Sequence, residues 1–343
     1  MGVNMTYSKN KLDATIQDEK VSRNMNTLFI LAFVLAIMLF FWFSYDQPVH
    51  PKPRVMTLYS YSAFEPVMEE AILPAFKDYW FQENQEELVY ITTFAGSGVI
   101  SRLIMTRFPA EIALLASELD ARVLEEQGII PPPSATQAKP YVRLCESPLV
   151  LIARDDFPLK AMDPVHLTPD SLHVIIPDPY TSGAGQMATL ALYLSMFKVG
   201  GSHEEALSFA KSFFYQGEPH PSDARAALAS FKAGEGDLLI SYESAGRSQG
   251  LKVISPDVVL VSVPIALSIP KNISADQEPL IQSFLTFLTT EESILAFSDY
   301  GFRSVDSTTP GKPRGTRIEA LGSPIRISRD ILDPIMEQRI RLQ

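Results

Sequence analysis

The chain has one cysteine, Cys145, in 343 residues, which excludes any disulfide within it. Cys145 falls in an apolar strand pattern, the setting of a small buried thiol. Histidine is almost as scarce. His50, His166, His173, His203 and His220 are scattered, and His203-Glu204-Glu205 lacks the second histidine that a zinc-binding helix places four residues after the first. Gly96-Ser97-Gly98 does not have the Gly-x-Ser-x-Gly spacing of a nucleophile elbow, and neither Ser97 nor Ser182 has a histidine near it in sequence. These absences point away from an enzyme and require no metal or cofactor. Positive charge is also short: 29 basic residues face 40 acidic ones, a net −11, with 18 and 33 of them between residues 28 and 309. A nucleic-acid surface needs a basic stripe, so nucleic acid is not an expected partner. A small anion is not excluded, because a few aimed N–H dipoles in a water-poor cleft outweigh a distant diffuse field.

One long apolar run is present. Leu28 to Phe43 is unbroken, and Thr27, Ser44 and Tyr45 extend it to roughly 28 Å of helix at about 1.5 Å per residue, enough to cross a bilayer. The run starts late and is long for a cleaved signal, and neither an Ala-x-Ala-like site nor a cysteine follows it, so the expectation is an uncleaved anchor over 27–45. Lys9, Lys11, Lys20 and Arg23 precede it while only Lys52 and Arg54 follow closely, which puts the N-terminus inside and the main domain outside the cytoplasm. On this reading residues 1–26 are a short cytoplasmic segment, 46–53 a proline-rich spacer and 310–343 a basic C-terminal extension.

From Arg54 short apolar strands alternate with amphipathic helices, which predicts an α/β domain with largely parallel pairing over 54–309. The rhythm breaks at Pro131-Pro132-Pro133, expected to be a loop, and two long extended stretches, Tyr141–Ala153 and Val258–Ile269, separate the α/β units. Two such crossings predict two lobes with a cleft: lobe 1 about 54–145 and 260–309, lobe 2 about 146–259. The crossings near Ser147 and Val263 would be the hinge.

Two stretches carry the grammar of an anion site. In Val174-Ile175-Ile176-Pro177-Asp178-Pro179-Tyr180-Thr181-Ser182-Gly183-Ala184-Gly185 a short buried strand ends at prolines, and small residues and a hydroxyl then open a helix. The first turn of a helix presents unpaired N–H donors and partial positive charge, and small residues let a ligand approach the backbone. Leu88–Phe94 followed by Ala95-Gly96-Ser97-Gly98 repeats the pattern. Each serine, taken alone, is more often only a helix cap, and it is the repetition of the pattern that points to a ligand.

The order of Tyr59-Ser60-Tyr61-Ser62-Ala63, Phe94-Ala95-Gly96-Ser97-Gly98, Ala110-Glu111-Ile112-Ala113-Leu114-Leu115-Ala116, Pro177 to Gly185, Asp223-Ala224-Arg225-Ala226-Ala227-Leu228 and Gly236-Asp237-Leu238-Leu239-Ile240-Ser241-Tyr242-Glu243 resembles the sulfate and molybdate substrate-binding proteins of ABC transporters. The likeness covers about residues 54–305. It implies a two-lobed type II periplasmic-binding fold, a tetrahedral oxyanion held between the lobes by uncharged donors, and ABC permease subunits as partners. Matched motif by motif, the implied contacts are Ser62, Ser97, Gly98, Ser182, Gly183, Ala184, Ala224 and Tyr242. Asp223 and Arg225 are expected as a helix-start charge and a solvated or inter-lobe partner rather than as direct ligands.

Two positions depart from the sulfate branch. Ser62 stands where that branch has Asp, and Tyr242 where it has Trp; the molybdate branch has Ser and Tyr there, whereas Thr181-Ser182-Gly183 looks like the sulfate branch. The anion stays open between sulfate or thiosulfate and molybdate or tungstate. No carboxylate falls among the matched positions, so phosphate, which brings a proton that needs an acceptor, is expected to bind at least about tenfold more weakly than a dianion. Two other readings of the same fold are a sensory or scaffolding ectodomain and a binder of ferric ion or an organic ligand.

Overall fold

The computed structural model describes residues 23–25, 27–40, 42, 52–131, 140–157, 167, 172–214, 220–256, 258–305, 315–322 and 324–340. The expected loop over 132–139 and most of the segments 1–26 and 46–53 lie outside the described residues. The chain divides into two units, Met1–Lys52 and Pro53–Gln343. In the first, the described residues form a helix, α1 (Arg23–Phe40), whose side chains are exposed and which is long and apolar enough to cross a membrane.

The second unit opens with β1 (Arg54–Tyr61), whose last four residues are buried. A compound helical stretch follows: a 3-10 turn at Ser62–Phe64, α2 (Glu65–Val67), a π-type turn at Met68–Ile72 and α3 (Leu73–Asn84). Pro66 and Pro74 occupy first-turn positions, where a missing N–H costs no helical hydrogen bond. Next come β2 (Leu88–Ala95), α4 (Ser97–Met105), β3 (Ile112–Leu115) and α5 (Glu118–Glu126). β4 (Tyr141–Arg143) and β5 (Ser147–Ala153) carry the chain from one sheet to the other. The second lobe continues with β6 (Val174–Ile175), α6 (Gly183–Lys198), α7 (His203–Ser212), α8 (Ala224–Lys232), β7 (Leu238–Tyr242), α9 (Glu243–Arg247) and β8 (Lys252–Ile254). β9 (Leu260–Ser262) and β10 (Ile265–Ser268) bring the chain back, and α10 (Glu278–Phe287) and α11 (Glu291–Asp299) follow.

The first sheet has the order β2-β1-β3-β10-β4, with β1 parallel to β2 and β3, and β10 antiparallel to β3 and β4. The second is β9-β5-β7-β6, with β8 also on β5, and its centre is not parallel as expected: β5 runs antiparallel to β7, β8 and β9. The connectivity gives the reason. β5 begins at the crossing from the first lobe, and β7 and β9 both end there, with Tyr242 opposite Leu149 and Ser262 opposite Ser147. The two crossings therefore lie side by side as paired strands, tied also by Leu144 N–H to Pro264 O at 2.9 Å.

Aromatic packing closes the first lobe. Phe76 meets Phe284 edge-on at 4.9 Å, and Phe64 stacks on Phe297 at 5.3 Å, which fixes α10 and α11 against the helical stretch after β1. The C-terminal segment packs as well: β11 (Thr316–Arg317) pairs in parallel with β9, and Arg317 forms an ion pair with Glu146. A 3-10 turn (Ile318–Leu321), α12 (Pro324–Ile327), a π-type turn (Ser328–Leu332) and α13 (Asp333–Ile340) follow. α12 lies against α5 of the first lobe, Ser328–Leu332 against α6 and α13 against α7 of the second. Ile318, Ile327, Leu332 and Ile335 are buried in the same apolar cluster as both lobes.

Candidate functional site

The candidate residues lie on five chain turns at the ends of strands and the starts of helices. Ser62 opens the 3-10 turn at the end of β1 and is buried. Ser97 is the first residue of α4, with Gly96 as its N-cap in an extended conformation, so the Ser97 hydroxyl does not cap the helix. Ser182 does cap: its Oγ accepts from Gly185 N–H at 3.3 Å, which leaves its own O–H proton to be given elsewhere. Asp223 caps α8 by accepting from Arg225 and Ala226 N–H at 2.9 and 3.1 Å. Gly183, Ala184 and Ala224 are thus first-turn residues of α6 and α8, whose N–H groups have no acceptor within their own helices. Tyr242 ends β7, fully buried, and its hydroxyl has no hydrogen-bond partner of normal geometry.

Glycine decides how closely the turns approach. A Cβ on Gly183 would lie 2.6 Å from Ala116 Cβ and 3.3 Å from both Ser97 Cβ and the Tyr242 hydroxyl, so these four residues share one small space. A Cβ on Gly96 would lie 2.1 Å from Thr181 O and 3.1 Å from Ser222 O. Gly98 N–H donates to Thr181 O at 3.1 Å, so this candidate contact is spent across the lobes. α8 packs on the Ser62–Phe64 turn, and Arg225 pairs with Glu65, which makes it an inter-lobe partner rather than a solvated charge.

Over residues 56–303 the chain matches the family model described as bacterial extracellular solute-binding protein, a span of most of its length. The chain belongs to this family. Its curated relatives include a sulfate-binding protein of Synechococcus elongatus, 26% identical over 270 residues, which cover 77% of this chain and 75% of that one. Among solved structures, the sulfate-binding protein SubI of Mycobacterium tuberculosis superposes with a TM-score of 0.63 at 21% identity, covering 77% of this chain and 93% of SubI. A periplasmic thiamin binding protein superposes with a TM-score of 0.64 at 18% identity, covering 85% and 96%. These likenesses show a shared type II periplasmic-binding fold, the class the motif order implied.

The solute-binding protein also holds a group that the motif reading missed. Asp120, on α5 and 2% exposed, accepts the Ser97 hydroxyl proton on Oδ2 at 2.7 Å. Ser97 Oγ in turn accepts Ala116 N–H at 3.0 Å. Gln186 Nε2, from α6, reaches Asp120 Oδ1 at 3.4 Å. Burial pushes the Asp120 carboxyl up to about 6, against the opposing pull of the Ser97 and Gln186 hydrogen bonds and of Arg102. The expectation that the site lacks a carboxylate is therefore overturned, and with it the proton-counting argument against phosphate. Burial first, and then the Asp120 charge, hold the Tyr242 phenol well above its usual range against the opposing pull of the nearby Ser262 hydroxyl, so it is a neutral O–H. Tyr61, edge-on to Tyr242 at 6.4 Å, is a second buried phenol without a partner.

In sequence Asp120 reads as an ordinary acid near a helix start. Its only signal is that it lies one turn before Leu124 on the same face of α5, and its burial comes with the Ser97 turn, which arrives from another strand. Among the described residues no set of three or more His, Cys, Asp or Glu is placed to hold a metal.

Proposed function

We propose that the protein is the extracytoplasmic substrate-binding component of an ABC importer, holding a tetrahedral oxyanion between its lobes. The observation that carries this reading is the fully buried Tyr242 hydroxyl, without a hydrogen-bond partner of normal geometry, beside the first turn of α6, where uncharged donors converge around the single carboxyl of Asp120. An unmade buried bond costs about 1–3 kcal/mol, and a ligand made of acceptors would recover it. The sulfate-binding relatives support the same class. Tyr242→Phe separates this role from a packing role. Removing an unsatisfied hydroxyl should raise the melting temperature of the anion-free protein, while the affinity for the preferred anion drops about tenfold. Calorimetry and thermal melts of the full chain in detergent, with sulfate, thiosulfate, molybdate, tungstate, phosphate and ferric ion, check both signs. Equal anion affinity in wild type and variant, or a response to ferric ion alone, would discard the oxyanion reading.

The same proposal places α1 in the cytoplasmic membrane as an uncleaved single-pass anchor, with the binding unit outside. In cells the protein should then fractionate with membranes, and its amino terminus should lie before residue 27. A soluble mature form that begins after Tyr45 would show that the helix is a signal sequence.

A further inference from the structure

We propose that Asp120 makes oxyanion binding proton-linked: the site takes up one proton with an anion that has none, and none with an anion that carries its own. This inference rests on the oxyanion reading above. It follows from the hydrogen-bond inventory of one serine. A hydroxyl has one proton to give, and Ser97 gives it to Asp120 Oδ2 at 2.7 Å while accepting from Ala116 N–H at 3.0 Å. With Asp120 ionised, Ser97 therefore offers an arriving anion only a lone pair. Sulfate, which has only acceptors, meets a repulsive contact there, whereas hydrogen phosphate can donate its proton to that lone pair. With Asp120 protonated, the carboxyl donates to Ser97 Oγ, and the Ser97 proton turns to the anion.

The surroundings let this carboxyl titrate. Ser97 and Arg102 face it from α4, Ser117 from its own turn, Gln186 from α6 and Tyr242 from the end of β7. Arg102 is the one cation in that set. Its Nη1 is occupied by Tyr180 O at 2.8 Å, and its guanidinium lies 4.1 Å over the Tyr180 ring. The charged neighbours on α5 are engaged elsewhere, Glu118 with Arg143 at 2.8 Å and Arg122 with Glu126, and Arg326 on the adjacent α12 is exposed. Gln186, the residue placed to pair with the carboxylate from the opposite lobe, is neutral and distant at 3.4 Å. Because burial holds the carboxyl at about 6, the proton is available near neutral pH.

The test is calorimetric titration of the full chain in detergent with sulfate and with phosphate, from pH 5 to pH 8, in two buffers of different protonation heat. Only the protonated fraction of Asp120 accepts sulfate, so sulfate affinity should fall about tenfold per pH unit above pH 6, with close to one proton taken up per sulfate at pH 7.5. Phosphate affinity should not show that fall. In Asp120→Asn the sulfate profile should be flat and proton uptake absent. The folded-state carboxyl titrates above its unfolded value, so its ionised form weakens the fold at neutral pH, and the variant should melt no lower than wild type at pH 7.5. Gln186→Arg, which supplies a charge that keeps Asp120 ionised throughout this range, should also abolish proton uptake. Sulfate that binds with a flat profile and no proton uptake in wild type, or not at all while another oxyanion binds, overturns the inference and leaves the oxyanion reading standing. Absence of binding by every oxyanion overturns both.

Discussion

A chain that ends at residue 314 is expected to fail to fold as a cooperatively melting unit. The segment from 315 buries Ile318, Ile327, Leu332 and Ile335 in the cluster shared by both lobes. Each such side chain contributes about 1.5–3 kcal/mol when fully buried, and the four together reach roughly 6–12 kcal/mol. Ordering the segment offsets much of that gain. Deletion, however, also exposes the apolar faces it covers on α5, α6 and α7, and domains of this kind have only about 5–15 kcal/mol in hand. Loss of the Arg317 pair with Glu146 would strip a partner from a nearly buried carboxylate as well. Circular dichroism melts of both chains in detergent decide the matter; a truncated chain that melts within about two degrees of full length would mean the segment is peripheral. Ile335→Asp, which puts an unpaired charge at the same place, should reproduce the defect within the full-length chain.

Gly96→Ala is expected to cost one to two decades of anion affinity while leaving both lobes folded. Gly96 has φ −60° and ψ 143°, which any residue adopts, so alanine introduces no backbone strain. The obstacle is space alone. Its Cβ would stand 2.1 Å from the Thr181 carbonyl oxygen, a backbone atom that cannot swing aside, and 3.1 Å from Ser222 O. Overpacking of this kind costs about 1–3 kcal/mol, charged here only to the arrangement that brings the lobes together. The hydrogen bond from Gly98 N–H to Thr181 O would be lengthened with it. Calorimetric titration with the preferred oxyanion measures the loss, and unaltered affinity would show that binding does not need this approach.

The two glycine-serine turns were legible in the sequence because the same pattern of small residues and a hydroxyl between a strand and a helix occurs twice, which a single helix cap does not require. Their functional polarity was not. Ser182 turned out to cap its helix, and Ser97 to serve a carboxylate, because a serine's partner is set by whichever element folds across it. Strand existence could be read from apolar runs, yet the direction of β5 against β7 and β9 could not, since Ser147–Ala153 is buried throughout and carries no alternation to fix a neighbour. The C-terminal aliphatics were hidden for a related reason: Ile318, Ile327, Leu332 and Ile335 keep no helical or strand period until the turns between them are known.

The paired crossings have a consequence for how the chain comes to be folded. β3, buried at every residue, finds its second neighbour only in β10, so Ile112 waits for Ser268, and the shared cluster waits for Ile335. Neither lobe is a continuous stretch that can finish while the rest is still being made. Contacts this far apart in sequence fold slowly, and the unfinished chain shows an apolar strand edge in the meantime. A chain cut short anywhere before β10 should therefore be a chaperone client or an aggregate.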